Sequence, residues 1–258
     1  MQDESLSKNQ FNKMINTPIP KLIGSLAIPT VISMLVTSVY NMADTYFVSQ
    51  INTEASAAVG IVFPIMTIIQ ALGFTLGMGA GSLISRKLGE KDNNAANQTA
   101  SVAFFTSFIV GLLITILGNV FSTSFMKIVG ASESVLPYAR AYGKYIFYGA
   151  PFMCASFVLN NILRSEGKAF FSMIALTTGG ILNIILDPIF IFLLKMGISG
   201  AAIATLISQS ISFFILLSWF LRKKAICLIT IRLVSNQITT LKNVVITGLP
   251  SLSRQGLA

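Results

Sequence analysis

The sequence predicts an all-α membrane protein, a bundle of six transmembrane helices followed by the start of a seventh. Only 10% of the 258 residues are charged and 53% are hydrophobic, whereas an ordinary soluble domain carries about 25% charged residues. The charged residues also leave six long, largely uncharged stretches, each close to or above the ~20 residues that cross a bilayer as a helix. This composition excludes a disordered chain, which needs low hydrophobicity and high charge.

Charges and helix breakers bound the six spans. We predict helices over 22–48, 55–84, 96–121, 138–163, 169–194 and 201–221. Short connections make neighbouring helices antiparallel. The predicted domains are an amino-terminal cytoplasmic segment (1–21), the six-helix bundle (22–221), a cytoplasmic linker (222–243) and the truncated start of a second repeat (244–258).

Basic residues predict the orientation, because cytoplasmic loops of membrane proteins are enriched in Lys and Arg. Four basic residues fall on the side opposite the amino terminus, namely Lys127, Arg140, Lys144 and Lys195. Thirteen fall on the amino-terminal side: Lys8, Lys13, Lys21, Arg86, Lys87, Lys91, Arg164, Lys168, Arg222, Lys223, Lys224, Arg232 and Lys242. We therefore expect a multi-pass protein of the cell membrane with its amino terminus in the cytoplasm. The net charge of +9 reflects this asymmetry, so no nucleic-acid partner is expected.

Reactive side chains are scarce. The chain has no histidine, which excludes Ser-His-Asp and Cys-His catalysis. Cys154 and Cys227 have neither the number nor the spacing of a disulfide framework or a zinc site. We therefore expect no enzyme activity, no cofactor and no bound transition metal; an intramembrane enzyme is the weakest alternative.

Two similar segments suggest an internal repeat. Lys21 lies eight residues before Pro29 and Lys242 lies eight before Pro250. Each proline follows a small residue and then an apolar one, and precedes a hydroxyl residue. Chance similarity of two amphipathic helix starts is the alternative. Transporters often contain such repeats. We therefore predict that this chain is one half of a transporter and that the missing carboxy-terminal half is its partner.

Two carboxylates lie inside the predicted spans, where an Asp costs roughly 2.5–3.5 kcal/mol on insertion scales. Asp44 and Asp187 both fall toward the side opposite the amino terminus. Asn183 precedes Asp187 by four residues and so shares its helical face, and Pro188 removes a backbone donor beside it. This arrangement could hold a proton or a sodium ion. The alternative is a pair of solvated or helix-capping aspartates near the interface.

Small residues mark the second span. Gly73, Gly77 and Gly81 recur at four-residue spacing, which predicts a face for close helix packing. The run GMGAG is not a nucleotide-binding loop, because no strand precedes it and no Lys-Ser or Lys-Thr follows.

Several segments in order resemble the amino-terminal half of the multidrug and toxic compound extrusion (MATE) family, in the branch named for DNA-damage-inducible protein F. They are ADTYFV in the first span, GMGAGSLISRKLGEKD after the second, then LRSEGKA, LNIILDPIFIF and GISGAAIATLIS. The resemblance covers nearly all of residues 20–258. It implies six of about twelve helices, arranged as one of two bundles around a V-shaped cavity. It also implies export of small organic cations in exchange for protons or sodium.

The resemblance further implies an ion-coupling cluster formed by Asp44, Asn183, Asp187 and Thr205, the last from the resemblance alone. Pro29 and Pro188 are the predicted positions of helix bending during transport. Two other functions stay open at this point. One is a lipid-linked oligosaccharide flippase of the same superfamily, which should line its cavity with basic residues. The other is a truncated membrane protein that does not transport.

Overall fold

The computed structural model describes residues 16–234 and 238–256, and these ranges are helical without any strand. The helices are α1 (Ile19–Ser49), α2 (Thr53–Gly89), α3 (Asn93–Val120), α4 (Ser122–Ile128), α5 (Leu136–Ser165), α6 (Ala169–Pro188), α7 (Gly197–Leu221) and α8 (Ile238–Gly256). A π-helical turn, Ile189–Leu193, continues α6, and a 3-10 turn covers Ile231–Leu233.

Six helices are long and apolar enough to cross a membrane: α1, α2, α3, α5, α6 with its π-turn, and α7. They confirm the six predicted spans, and the largest difference is at the end of α2, which reaches Gly89 instead of residue 84. Even the shortest, of 25 residues, is about 38 Å long at 1.5 Å per residue, more than the ~30 Å hydrocarbon core. The short α4 was not predicted.

Local side chains and backbone conformations set several helix ends. The Asn52 side chain accepts a hydrogen bond from the amide of Ala55, 2.7 Å away, at the start of α2, and Asp92 accepts from Ala95 at the start of α3. Such caps satisfy backbone donors that have no partner within the helix. After α5 the chain turns at Gly167, whose φ of +78° favours glycine.

Helix α5 lies at the centre of the bundle and packs against α2, α3 and α7. One apolar cluster surrounds its first half and includes Val62 and Ile146, and a second surrounds its last turns and includes Leu159 and Phe213. The bundle face where α1 begins is called the amino-terminal face below. The first cluster lies toward the opposite face.

The predicted glycine face of α2 packs against α5. A Cβ atom at Gly77 would lie 2.8 Å from the Asn161 side-chain nitrogen and 2.9 Å from the carbonyl oxygen of Phe157. Gly73 and Gly81 also face α5. The two helix backbones therefore approach closely here, as the spacing of the glycines predicted.

The segment after α7 is held to the amino-terminal face by side chains that bind its backbone. Glu166 is fully buried and accepts hydrogen bonds from the amides of Ile226 (2.8 Å) and Cys227 (2.7 Å). Burial raises the pKa of the Glu166 carboxyl, although these two amides and Lys168 act in the opposite direction. Asn97 accepts from the amide of Leu228. The beginning of the predicted linker is therefore fastened to the bundle.

Helix α8 crosses α2 at a second pair of glycines. A Cβ at Gly79 would lie 2.0 Å from the carbonyl oxygen of Val244, and a Cβ at Gly248 would lie 2.0 Å from that of Thr75. The helix begins at Ile238, within the segment predicted to be a linker, and contains Pro250 as α1 contains Pro29. The relation between α1 and α8 as equivalent parts of two repeats stays a prediction.

Candidate functional site

The first carboxylate of the site is held between α1 and α5. Asp44 lies near the end of α1, is 8% exposed, and accepts a hydrogen bond at Oδ2 from the Tyr142 hydroxyl, 3.1 Å away. Tyr142 is itself buried, in the first half of α5. The aspartate is therefore neither solvated nor a helix cap, which excludes the interfacial alternative for this residue.

The second carboxylate lies in α6, and the side chain of Asn183 links it to α7. Asp187 is fully buried one residue before the end of α6. The Asn183 side-chain nitrogen donates to Asp187 Oδ1 over 3.2 Å and to Thr205 Oγ1 of α7 over 3.3 Å. The structure thus brings together three of the four residues that sequence reasoning named, and Asp44 faces them from α1.

The two carboxylates interact electrostatically with each other, and Tyr142 lies near both. Within residues 16–234 and 238–256, no basic side chain lies within 4.0 Å of either one. Three buried oxygens also lack a hydrogen-bond partner there: Asp44 Oδ1, Asn183 Oδ1 and Asp187 Oδ2. Buried polar atoms are almost always paired, so this group of oxygens fits a proton or a cation with oxygen ligands.

The two prolines named as bending positions occupy different backbone settings. Pro29 lies inside the continuous helix α1, where its carbonyl accepts from Ser33 Oγ over 2.8 Å. Pro188 is the last residue of α6, where the backbone changes to the π-turn. Proline removes one backbone donor in each case, and the role of both residues in bending stays a prediction.

Sequence reasoning missed three polar residues of this region. Tyr142 is one of them. The others are Tyr40 and Gln209, joined by a hydrogen bond from Gln209 Nε2 to the Tyr40 hydroxyl over 3.4 Å. A tyrosine or glutamine deep inside an apolar span is a usable signal, but it does not reveal the partner on another helix.

A cavity of about 240 Å³ lies between α1, α2, α5, α6 and α7. Its lining includes Tyr40 and Gln209 together with Ser156, Asn160 and Arg164. Ser156 Oγ and Asn160 Nδ2 have no hydrogen-bond partner within the described part of the chain. Tyr40 stands one helical turn before Asp44, so this polar cavity reaches toward the carboxylates.

Comparison with known proteins identifies the family. A family model described as MatE matches residues 29–189, which contain Pro29, Asp44, Asn183 and Asp187. The chain belongs to this family.

Individual MATE proteins agree with this assignment. The multidrug export protein MepA of Staphylococcus haemolyticus is 33% identical over 228 residues, covering 86% of this chain and 48% of the relative. A FAD transporter of Shewanella oneidensis is 32% identical over 199 residues, covering 76% of this chain and 44% of the relative. The chain thus spans about half the length of these relatives. The family consists of transporters rather than enzymes.

A solved structure of a multidrug resistance MATE transporter, described as outward-facing, has the same fold. It superposes with a TM-score of 0.88 and 36% identity over 94% of this chain and 54% of that one. The chain is therefore a multi-pass membrane protein with the architecture of a MATE bundle. Its narrower assignment to the branch of DNA-damage-inducible protein F stays a prediction.

Proposed function

We propose that this chain forms one half of a secondary antiporter that exports drug-like organic cations in exchange for protons or sodium. The observation that carries the proposal is the pair of buried carboxylates, Asp44 and Asp187, each with an oxygen that has no partner among the described residues. The family supports it, because relatives of this chain are named as multidrug export proteins.

The ion is held by the four residues of the cluster. Two unpaired negative charges in a low-dielectric bundle are costly, so the pair takes up a proton or a sodium ion, with Asn183 and Thr205 as further oxygen donors. When the ion leaves, the hydrogen bonds of the cluster change. That difference between the loaded and unloaded states is the differential contact that an antiport cycle requires.

Coupling to the substrate runs through the helices that carry the cluster. Asp44 shares α1 with Pro29, and Asp187 directly precedes Pro188. Proline weakens the helix ladder at both places, so a change in the cluster bends α1 and α6. This narrows the neighbouring cavity of about 240 Å³ and expels the cation.

A second bundle completes the proposed transporter. The chain spans 48% of the Staphylococcus haemolyticus relative, so we assign residues 22–221 to the first bundle, 222–243 to a linker that ends within α8, and 244–258 to the start of the second repeat. The matches do not favour the oligosaccharide flippase. Among the residues that line the described cavity, Arg164 is the one basic side chain, whereas a flippase for an anionic lipid should present several.

The experiment compares Asp44→Asn and Asp187→Asn in the protein that unites this bundle with a second one. Asn keeps the shape of a neutral carboxyl but cannot exchange a proton. Both variants should insert normally yet lose efflux of ethidium driven by a proton or sodium gradient in proteoliposomes. The matched control is Asp92→Asn at the exposed cap of α3, which should transport as the unaltered protein does. Full coupled efflux by both cluster variants would contradict the proposal.

We also propose a cell-membrane location with the amino-terminal face in the cytoplasm, from the bias in basic residues. Native Cys154 and Cys227 are buried, so single cysteines can be added without removing them. Thr53→Cys at the exposed start of α2 should react with an impermeant thiol reagent added to intact cells. Asn94→Cys at the exposed start of α3 should react only after the cells have been permeabilised. The reverse pattern would invert the orientation.

A further inference from the structure

Three of the four basic residues on the face opposite the amino terminus lie close together in the chain. Lys127 is in the short helix α4, and Arg140 and Lys144 are one turn apart on α5. Membrane proteins keep few Lys and Arg on this side, and the proposed ion site uses none of these three. Their concentration at one corner of the bundle therefore points to a separate role.

Arg140 and Lys144 line a groove of about 520 Å³ between α3, α4 and α5. The other lining residues are Asn119, Ser122, Pro137 and Ala141. Both cations are exposed, and no carboxylate lies within 4.0 Å of either one in the part of the chain that the structure describes. The groove thus presents two positive charges, an amide and a hydroxyl, which is the chemistry that recognises a phosphate group.

The groove lies at the ends of two membrane-spanning helices, where we place the membrane interface. Helix α3 ends beside it at Val120 and α5 begins beside it at Leu136. Lys144 is eight residues along α5, so it lies about 12 Å from the start of that helix at 1.5 Å per residue. This exceeds the roughly 5–8 Å thickness of one headgroup layer, so the groove runs from the headgroups to the edge of the hydrocarbon region.

Exposed apolar side chains lie near the groove-lining residues in the chain. Ile116 (58% exposed) and Val120 (69%) lie on the last turns of α3, Phe121 directly precedes α4, and Ile128 is the last residue of α4. Acyl chains of the bilayer cover these side chains. A lipid headgroup is therefore present beside the basic groove at high local concentration, whereas a free phosphate ion must come from dilute solution.

We propose that this groove is a binding site for the phosphate headgroup of an anionic phospholipid, with Arg140 and Lys144 as its cationic ligands. Asn119 and Ser122 contribute polar contacts, and the acyl chains lie along the end of α3. On the proposed orientation the lipid belongs to the outer leaflet. The site is separate from the carboxylate cluster and does not depend on the ion that the cluster binds.

The test uses the purified chain in a neutral detergent and native mass spectrometry to count retained lipids. Dioleoyl phosphatidylglycerol and dioleoyl phosphatidylcholine are the probes. The unaltered chain should retain phosphatidylglycerol in preference to phosphatidylcholine. Each basic residue near an anionic lipid surface contributes about fivefold in affinity, so the double variant Arg140→Gln, Lys144→Gln should bind phosphatidylglycerol roughly 25-fold more weakly.

Two further variants separate the groove from general charge and from folding. Lys195→Gln removes the fourth basic residue of the same face, outside the groove, and should keep the preference. Arg140→Lys with Lys144→Arg preserves both charges and should bind within about twofold of the unaltered chain, with gel filtration reporting the fold of every variant. Equal phosphatidylglycerol binding by the Gln double variant would overturn the proposal. Displacement of phosphatidylglycerol by millimolar inorganic phosphate at constant ionic strength would also overturn it, because the occupant would then be a free anion.

Discussion

The packing of α3 against α5 can be tested at a single glycine. Gly111 lies on α3 where a Cβ would be 2.4 Å from Cα and 2.7 Å from N of Pro151. Both are backbone atoms in the central helix and cannot rotate away. Ordinary contacts begin at 3.4 Å, so Gly111→Ala must push the two helices apart by about 1 Å, a form of overpacking that costs about 1–3 kcal/mol.

A neighbouring hydrogen bond adds to this cost. Thr115 lies one turn beyond Gly111, and its hydroxyl donates to the carbonyl oxygen of Phe147 on α5 over 2.6 Å. A separation of about 1 Å breaks this bond, which contributes about 1 kcal/mol, and the hydroxyl keeps its other acceptor, the carbonyl oxygen of Gly111 3.0 Å away. Ala gains about 0.5–1 kcal/mol over Gly in a helix interior. The net expectation is a destabilisation of about 1–3.5 kcal/mol, the sum of these three estimates.

The assay is thermal unfolding in detergent, followed by the fluorescence of the single tryptophan, Trp219. Gly111→Ala should lower Tm by several degrees, at about 2 °C per kcal/mol for a chain of this size. The matched control is Gly60→Ala in α2, where nothing lies within 4 Å of the added Cβ, and its Tm should be unchanged or higher. Thr115→Val should lower Tm alone but add little to Gly111→Ala, because the bond is already broken. Equal Tm values for the two glycine variants, or full additivity with Thr115→Val, would refute the reasoning.

Two further predictions concern side chains that form hydrogen bonds between separate parts of the bundle. Tyr142→Phe removes the donor to the carboxylate of α1 and should slow the ion-coupled efflux that we propose for the two-bundle protein about tenfold or more, as a bond to a charged group implies. Tyr138→Phe on the same helix is the control and should leave that efflux unchanged. Glu166→Ala leaves the amides of residues 226 and 227 unpaired, so hydrogen exchange at both should accelerate about tenfold. Exposed Glu90→Ala should leave that exchange unchanged.

The six spans could be predicted because the signal for each is local. A run of apolar residues between charges fixes length and type together, and caps such as Asn52 and Asp92 lie beside the charges that mark the ends. Helix α4 was not predicted, because it lacks these local signals. It has seven residues and begins at Ser122, and its amino-terminal cap residue, Phe121, forms no side-chain cap hydrogen bond. Neither length nor a start signal therefore distinguishes it from a loop.

The candidate site was only partly visible in the sequence. Asp44 and Asp187 could be found because a carboxylate in an apolar run is conspicuous, and Asn183 because it stands one turn from Asp187. Thr205 came from the family resemblance, since a threonine in a helix usually bonds its own backbone and carries no signal. Tyr142 lies 98 residues from Asp44 in sequence, and a contact between two helices that are not consecutive leaves no pattern in a single chain.

The setting of Asp187 depends on the backbone change at Pro188, whose predicted role in bending stays a prediction. The proline removes one backbone donor, and the chain responds by changing from α6 to the π-turn that begins at Ile189. A Cβ at Gly200 would lie 2.7 Å from both C and O of Phe190, so the start of α7 packs directly against the backbone of this turn. Asp187 thus accepts a hydrogen bond from Asn183 and lies two residues before a π-turn that packs against α7. A displacement at the π-turn would therefore be transmitted to Asp187 through the backbone that joins them.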